Sequence, residues 1–197
     1  MKAGRGMSAL HPKFIVGVGG SAGAFNAYLA LLEALPLDTG MAFVIISHIN
    51  PNANSQLALI LSRYTKMPVF IASMKMPILQ NHVYVIPANA DLFIENHTFK
   101  VVSPASNGHQ QIDLFFVSLA EAMATRAIGI VFSGYNGDGT KGCKHIKAKG
   151  GIIFAQDVSA EVPYMPLSAQ ASGYVDFVMS PGKIANKLKK LAAALKT

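Results

Sequence analysis

The chain's 197 residues are enough for one well-buried domain, and its composition of 51% hydrophobic and 14% charged residues is that of a globular protein. Its net charge of +7 lies mainly toward the C-terminus, where nine of the seventeen lysine and arginine residues stand at or beyond Lys141. Because no aromatic residues alternate with these charges, the sequence argues against nucleic-acid binding. It favours solvated helix faces or attraction to an acidic partner.

Targeting and redox signals are sparse. The lone Cys143 excludes an internal disulfide framework and favours a reducing compartment, and we expect it to be a small buried thiol on a helix. No apolar run reaches the ~18 residues that span a bilayer. Residues 1–13 are basic but lack the apolar core of a secretory signal. We therefore expect a cytoplasmic protein with no membrane insertion, a flexible tail over residues 1–13 and one domain over residues 14–197.

Hydrophobic periodicity divides the chain into alternating strands and helices. The predicted strands are residues 14–18, 41–47, 69–72, 83–86, 92–95, 98–102, 127–132, 151–155 and 174–178. The predicted helices are residues 24–35, 55–64, 112–125, 140–149, 166–172 and 182–195. This alternation predicts an α/β fold, a doubly wound and mostly parallel sheet with helices on both faces. The three short segments between residues 83 and 102 predict a small antiparallel β insert.

The turn after the first strand carries two overlapping site patterns. Gly17-x-Gly19-x-x-Ala22 nearly matches the dinucleotide fingerprint, in which the backbone approaches a pyrophosphate at a helix N-terminus. Gly19-x-Ser21-x-Gly23 matches a nucleophile elbow, a sharp turn that exposes a hydroxyl near backbone N–H groups. A third interpretation is purely structural, with the serine capping the following helix.

The second strand favours the nucleophile. A dinucleotide site needs an acidic residue at the end of this strand to bind the ribose hydroxyls, and the sequence has His48 there. A histidine suits a general base. Since ligand sites of open α/β sheets lie outside the carboxyl ends of the strands, Ser21 and His48 are expected at the same rim.

The strand over residues 127–132 supplies an acid for the same rim. It is continuously apolar, as in a parallel strand covered on both faces, and it leads into a loop with Asp138. A carboxylate there would orient the imidazole and stabilise the imidazolium. Asp157 and Glu161, which follow another strand, are alternative candidates for this role.

The other five histidines show no pairing at metal-ligand spacing, so the sequence predicts neither a metal site nor a cofactor. Met165 and Pro166 are candidates for lining the pocket, with ordinary packing as the other interpretation.

Six segments of the chain, taken together, form a recognisable pattern. They are GVGGSAGA (17–24), SHINP (47–51), VYVIPAN (83–89), IDLFF (112–116), SGYNGDGTKG (133–142) and AQDVSAEVPYMPLSA (155–169). This combination resembles the catalytic domain of the chemotaxis protein-glutamate methylesterase family, CheB, most closely the version in CheB/CheR-type hybrid proteins. The similarity extends from about Phe14 to about Leu191.

The resemblance implies a serine esterase that hydrolyses γ-glutamyl methyl esters on methylated chemoreceptors or other signalling proteins, with glutamine deamidation as a related activity. It implies that Ser21 is the nucleophile, His48 the base and Asp138 the orienting acid. A catalytically silent signalling or binding module of the same fold is the alternative.

Two positions depart from the pattern of the family. Many members have threonine after the nucleophile and methionine three residues before the catalytic aspartate, where this chain has Ala22 and Tyr135. Their backbone N–H groups are the expected oxyanion donors. The polar loop before residue 112 also lacks the basic segment of chemotaxis-operon enzymes, which leaves the identity of the substrate open.

Regulation in the family uses an N-terminal receiver domain that covers the site. Such a domain needs on the order of a hundred residues, and only thirteen precede the first predicted strand. We therefore expect an ungated site, with any control supplied by a separate receiver or methyltransferase domain.

Overall fold

The computed structural model describes residues 11–48, 54–104 and 110–194. Its strands are β1 (Phe14–Gly20), β2 (Met41–Ser47), β3 (Val69–Ile71), β4 (His82–Val85), β5 (Asp91–Glu95), β6 (Thr98–Val102), β7 (Ala127–Val131), β8 (Ile152–Gln156) and β9 (Phe177–Met179). Its α-helices are α1 (Phe25–Glu33), α2 (Asn54–Leu61), α3 (Gln111–Met123), α4 (Thr140–Ala148), α5 (Tyr164–Ala171) and α6 (Pro181–Ala194). Each predicted strand and helix is present, with ends that differ by a few residues.

Seven strands form one parallel sheet in the order β3-β4-β2-β1-β7-β8-β9. The chain first builds outward from β1 through β2 and later returns to place β7 on the other side of β1. The boundary between β1 and β7 is therefore the point where the winding direction reverses. Ligand sites of open α/β sheets lie at such a point, outside the carboxyl ends of the strands.

One prediction about the sheet is wrong. Residues 83–86 were expected in the antiparallel insert, but β4 pairs in parallel with both β2 and β3, and the antiparallel pair consists of β5 and β6. Val83, Tyr84 and Val85 are all buried, as expected for a strand covered on both faces. A strand of four residues is too short for its pattern to indicate the direction of its partners.

Helices cover both faces of the sheet, which confirms the doubly wound arrangement. One buried cluster combines strand residues with side chains of α1, α2 and α6, and the other does so with side chains of α3, α4 and α5. Helix α3 lies directly on β1, because a Cβ added to Gly19 would come within 2.5 Å of Ile112 Cγ2. This close contact brings the start of α3 to the carboxyl end of β1.

Some predicted features lie outside the described residues, namely most of the tail, the loop over residues 49–53 and the polar loop over residues 105–109. In the three described stretches, no helix is long and apolar enough to cross a membrane. Cys143 is buried on α4 as expected, and burial raises the pKa of its thiol to about 12.

Candidate active site

The turn after β1, here called the serine turn (residues 20–24), places Ser21 at the rim of the sheet. Its N–H donates to the carbonyl of Ser133 at 2.8 Å, and its own carbonyl accepts from the N–H of Ala24 at 3.1 Å. Ala24 is the N-cap of α1 and makes no side-chain capping bond. Ser21 does not occupy the N-cap position, so the interpretation of this serine as the cap of the helix is wrong.

The neighbouring strand brings His48 beside the serine turn. Gly20 pairs with Ser47 in the β1–β2 register, and the N–H of His48 donates to the carbonyl of Gly20 at 3.2 Å. Ser21 and His48 therefore follow two residues that are partners across adjacent parallel strands. The rim placement expected from the sequence is confirmed in the structure.

Asp138 is the carboxylate that contacts His48. The distance from His48 Nε2 to Asp138 Oδ2 is 2.7 Å, and the two side chains are only 5% and 1% exposed. Because an ionised carboxylate only accepts hydrogen bonds, Nε2 carries the hydrogen and Nδ1 keeps the lone pair in the neutral ring. Among the alternative acids, Asp157 accepts the N–H of Ser159, and Glu161 lies against Gly23.

Backbone donors hold the Asp138 carboxylate in place. Oδ2 also accepts from the N–H of Ile112 at 2.9 Å, while Oδ1 accepts from the N–H groups of Asp113 and Gly139, each at 2.9 Å. Two of these donors belong to the first turn of α3, where the helix dipole favours negative charge. The acid is therefore fixed by the helix that lies across β1.

The segment after β7, here called the aspartate loop (residues 133–139), is tied to the serine turn by Ser133. This buried hydroxyl donates to the carbonyl of Ala22 at 2.8 Å and accepts from the N–H of Val162 at 2.8 Å. Gly134 lies close to Ser21, since a Cβ added to it would be 3.1 Å from Ser21 Cβ. The two turns thus form one surface.

Met165 and Tyr135 occupy opposite sides of this surface. The side chain of Met165 is fully buried, and its N–H donates to the carbonyl of Gly134 at 2.9 Å, so it supports the aspartate loop from within. Tyr135 is 70% exposed and stacks on Tyr164, with ring centroids 6.5 Å apart. Contact between Met165 and a substrate remains a prediction.

Several backbone donors at this surface, those of Ala22 and Tyr135 among them, have no acceptor within the described residues. Across residues 11–48, 54–104 and 110–194, the N–H groups of Ala22 and Tyr135 donate to nothing, whereas those of Ser21 and Gly134 are both used. Donors of this kind are able to stabilise negative charge that develops on an oxygen atom.

Sequence reasoning missed the residues that support the site. Ser133 carried a signal, as a polar residue directly after a buried strand. Asp113 carried one as well, because it is an acidic residue in the first turn of α3. The donors from Ile112 and Asp113 to Asp138 were not visible, since they are backbone groups brought close by tertiary packing.

The family model and the sequence relatives that match this chain point to the same family. The family model described as CheB methylesterase matches residues 16–188. A relative from Leptospira interrogans, which bears the name protein-glutamate methylesterase/protein-glutamine glutaminase, is 34% identical over 178 residues that cover 88% of this chain and 92% of that protein. A Burkholderia lata protein of the same name is 32% identical over 184 residues, and this chain spans 52% of its length.

A solved structure agrees with these relatives. The crystal structure of the Thermotoga maritima CheB methylesterase catalytic domain matches with a TM-score of 0.85 at 26% identity, covering 90% of this chain and 98% of that domain. The seven-stranded sheet, the sequence relatives and the family match all point the same way. The chain belongs to the CheB methylesterase family, and is an ester hydrolase of the protein-glutamate methylesterase type.

Proposed function

We propose that this chain hydrolyses γ-glutamyl methyl esters on a methylated chemoreceptor, with Ser21 as nucleophile, His48 as general base and Asp138 as the orienting acid. The observation that carries the proposal is the bond of 2.7 Å between His48 and Asp138, beside the serine turn. A nucleophile, a base and an acid that orients the base form the recurring arrangement of serine hydrolases.

The reaction proceeds through an acyl-enzyme. His48 Nδ1 takes the hydroxyl proton as Ser21 Oγ attacks the ester carbonyl, and the imidazolium then gives the proton to the departing methanol. Water repeats the sequence with His48 again as base, which releases the glutamate carboxylate and restores the serine. Asp138 stabilises the imidazolium and stays ionised throughout. Glutamine deamidation would follow the same steps with ammonia as the leaving group.

The oxyanion of each tetrahedral intermediate is assigned to the N–H groups of Ala22 and Tyr135. Their lack of acceptors within the described stretches supports this assignment, as does their position directly after Ser21 and Gly134, two residues that lie close together. Both donors belong to the backbone, so the replacement of threonine and methionine by alanine and tyrosine leaves them available.

Exposed tyrosines beside the site are suited to bind the substrate. Tyr135 and Tyr164 are 70% and 62% exposed and stack on each other next to Gly134, and aromatic residues are enriched at protein interfaces. We assign to them contact with the apolar part of the receptor segment that carries the ester. Met165 contributes by shaping the loop beneath Tyr135.

Basic side chains near the aspartate loop favour an acidic partner. Lys141 and Lys144 on α4 make no ion pair within the described part of the chain, whereas Lys147 and Lys149 pair with acidic residues. A receptor helix rich in glutamates would complement this charge. Cytoplasmic location and control by a separate receiver or methyltransferase domain are part of the same proposal.

The test is methanol release from a methylated receptor by the wild type and by Ser21→Ala. The variant should lose about three orders of magnitude or more in kcat, because members of a triad act as a unit. Ser62→Ala is the matched control, since that hydroxyl binds the carbonyl of Leu59 on α2, away from the rim. A serine-reactive fluorophosphonate should label Ser21 alone. A wild type that neither releases methanol nor takes the label would be a silent binding module.

A further inference from the structure

The carboxylate of Asp138 has no acceptor capacity left. Its two oxygens take four donors, namely the imidazole of His48 and the N–H groups of Ile112, Asp113 and Gly139. An ionised carboxylate offers about four such positions. The orientation of this acid toward His48 therefore depends on where the first turn of α3 lies.

A second carboxylate fixes that turn. Asp113 Oδ1 accepts from the N–H of Gly142 at 2.8 Å, and Gly142 lies in the first turn of α4, which begins directly after the aspartate loop. Asp138, just before α4, caps α3, and Asp113, within α3, caps α4. Each helix N-terminus is thus held by an acid from the other segment.

This exchange takes place in a closed contact between the two helices. Asp113 and Asp138, each taken as a whole residue with its main chain, are only 9% and 5% exposed. A Cβ added to Gly142 would lie 2.4 Å from Phe116 Cβ, so α3 and α4 touch at the point where Asp113 binds. The N–H group of Gly142 and the nearby Lys141 reduce the cost of the Asp113 charge without cancelling it, because burial and Asp138 still raise the pKa of Asp113.

We infer that Asp113 is a positioning residue for the reaction: through its bond to Gly142 it locks α3 against α4 and so holds Asp138 in hydrogen-bonding geometry with His48. The expected loss in kcat rests on the proposed function. The effect of Asp113 on the hydrogen bond between Asp138 and His48 does not. Displacements of about 1 Å in such a group can cost on the order of 100-fold in rate.

The experiment compares Asp113→Ala with Asp113→Asn. The alanine variant should lose about 10- to 100-fold in kcat with KM unchanged, because the substrate surface is intact while the acid is displaced. The asparagine variant should keep most of the activity, since its amide oxygen still accepts the N–H of Gly142. If the alanine variant does not fold, Asp113→Glu, which displaces the acceptor oxygen, must lose more activity than Asp113→Asn.

Asp176→Ala is the matched control for stability. Asp176 also accepts a backbone N–H, that of Ile153 at 2.9 Å, and it pairs with Lys147 in the last turn of α4, but both contacts lie near the start of β8, opposite the rim. The Asp176→Ala variant should lower the unfolding temperature about as much as Asp113→Ala does, and it should leave kcat unchanged. An Asp113→Ala variant that is destabilised like Asp176→Ala, with kcat within twofold of the wild type, would overturn the inference.

A spectroscopic measurement separates this inference from the proposed function. The NMR resonance of the His48 Nε2 hydrogen reports its bond to Asp138 whether or not an ester is hydrolysed. It should shift or broaden in Asp113→Ala and stay in place in Asp176→Ala and Asp113→Asn. If the wild type lacks esterase activity, the proposed function fails, and the His48 signal still decides the role of Asp113. An unchanged signal in Asp113→Ala rejects that role.

Discussion

The serine turn and the aspartate loop lie side by side at one rim, yet different forces hold them. The serine turn is built from small residues, and Gly23 at φ 73° leaves no room for a side chain. The aspartate loop is built from polar side chains, with Ser133 and Asp138 each binding several backbone groups. Shape therefore places Ser21, the proposed nucleophile, and hydrogen bonds place Asp138, the proposed orienting acid.

This difference predicts how each part fails. A steric change in the serine turn should reduce stability, because the backbone must move to make room. A polar change in the aspartate loop should reduce activity first, because the hydrogen bonds there end on the residue that orients His48.

The largest expected effect comes from Asp138→Asn. The amide can present an N–H to His48 Nε2, which favours the wrong tautomer of the imidazole, and we expect kcat to fall by about 10⁴-fold. Methanol release from a methylated receptor measures this loss, and circular dichroism checks that the fold is kept. Retention of a tenth of the activity would remove Asp138 from the proposed triad.

Gly23→Ala should mainly reduce stability, by about 2–5 kcal/mol. The added methyl group meets both an unfavourable φ and close contacts, since it would lie 2.7 Å from Ser133 Oγ and 2.8 Å from Glu161 Cβ. Gly173→Ala is the matched control, because Gly173 has φ 78° but nothing within 4 Å of the added atom. Equal losses by urea unfolding in the two variants would show that shape around Gly23 is unimportant.

Asp113→Asn should change how stability depends on pH. Burial, followed by the negative charge of Asp138, raises the pKa of Asp113 above its ordinary value. Ionisation of this acid therefore costs more in the folded than in the unfolded chain, and the stability it contributes is present below about pH 4 and is lost as the pH rises through the raised pKa.

The asparagine variant has no such ionisation. The free energy of unfolding of the wild type minus that of Asp113→Asn should therefore decrease as the pH rises from about 3 to 7. Urea titrations of both proteins across this range measure the difference. A difference that increases with pH would mean that the helix N-termini and Lys141 outweigh burial at this site.

The placement of the site could be read from the sequence, because it depends on local patterns. Glycines around Ser21, a histidine after the second strand and an aspartate after a buried strand each indicate a strand end, and parallel strands bring their ends to one rim. The identity of the acid depended on distance in space, since Asp157 and Glu161 also follow a strand. Only the folded chain distinguishes Asp138 by its contact with His48.

The features that were not predictable depend on partners distant in sequence. The direction of β4 is set by the strands on either side of it and not by its own four residues. The capping exchange between Asp113 and Asp138 joins positions 25 residues apart through backbone N–H groups, which every residue except proline possesses. A sequence pattern shows which side chains are present, but it does not show which backbone N–H groups lie near a carboxylate. The contacts that hold Asp138 are therefore visible only once the positions of the helices are known.

The smallest expected effect is that of Tyr28→Phe, and it tests whether the serine turn depends on shape alone. The ring of Tyr28 packs against Phe132 with centroids 5.9 Å apart, and its hydroxyl lies where a Cβ on Gly20 would come within 2.5 Å. That hydroxyl is buried and has no hydrogen-bond partner of ordinary geometry within the described residues, and burial raises its pKa. Ser47, whose own hydroxyl is also buried without such a partner, is close enough to oppose that rise.

A buried hydroxyl without a partner loses its hydrogen bonds to water and gains none in the folded protein. Tyr28→Phe should therefore leave the free energy of unfolding within about 1 kcal/mol of the wild type or raise it slightly. Tyr28→Ala, which removes the ring, should cost about 3–5 kcal/mol. Urea unfolding of both variants measures the contrast. If the phenylalanine variant instead loses about 2 kcal/mol or more, the hydroxyl is bonded to Ser47 in solution. The helix that follows the serine turn and the residue before His48 would then be joined by a polar contact, and the serine turn would be held in part by a hydrogen bond, as the aspartate loop is.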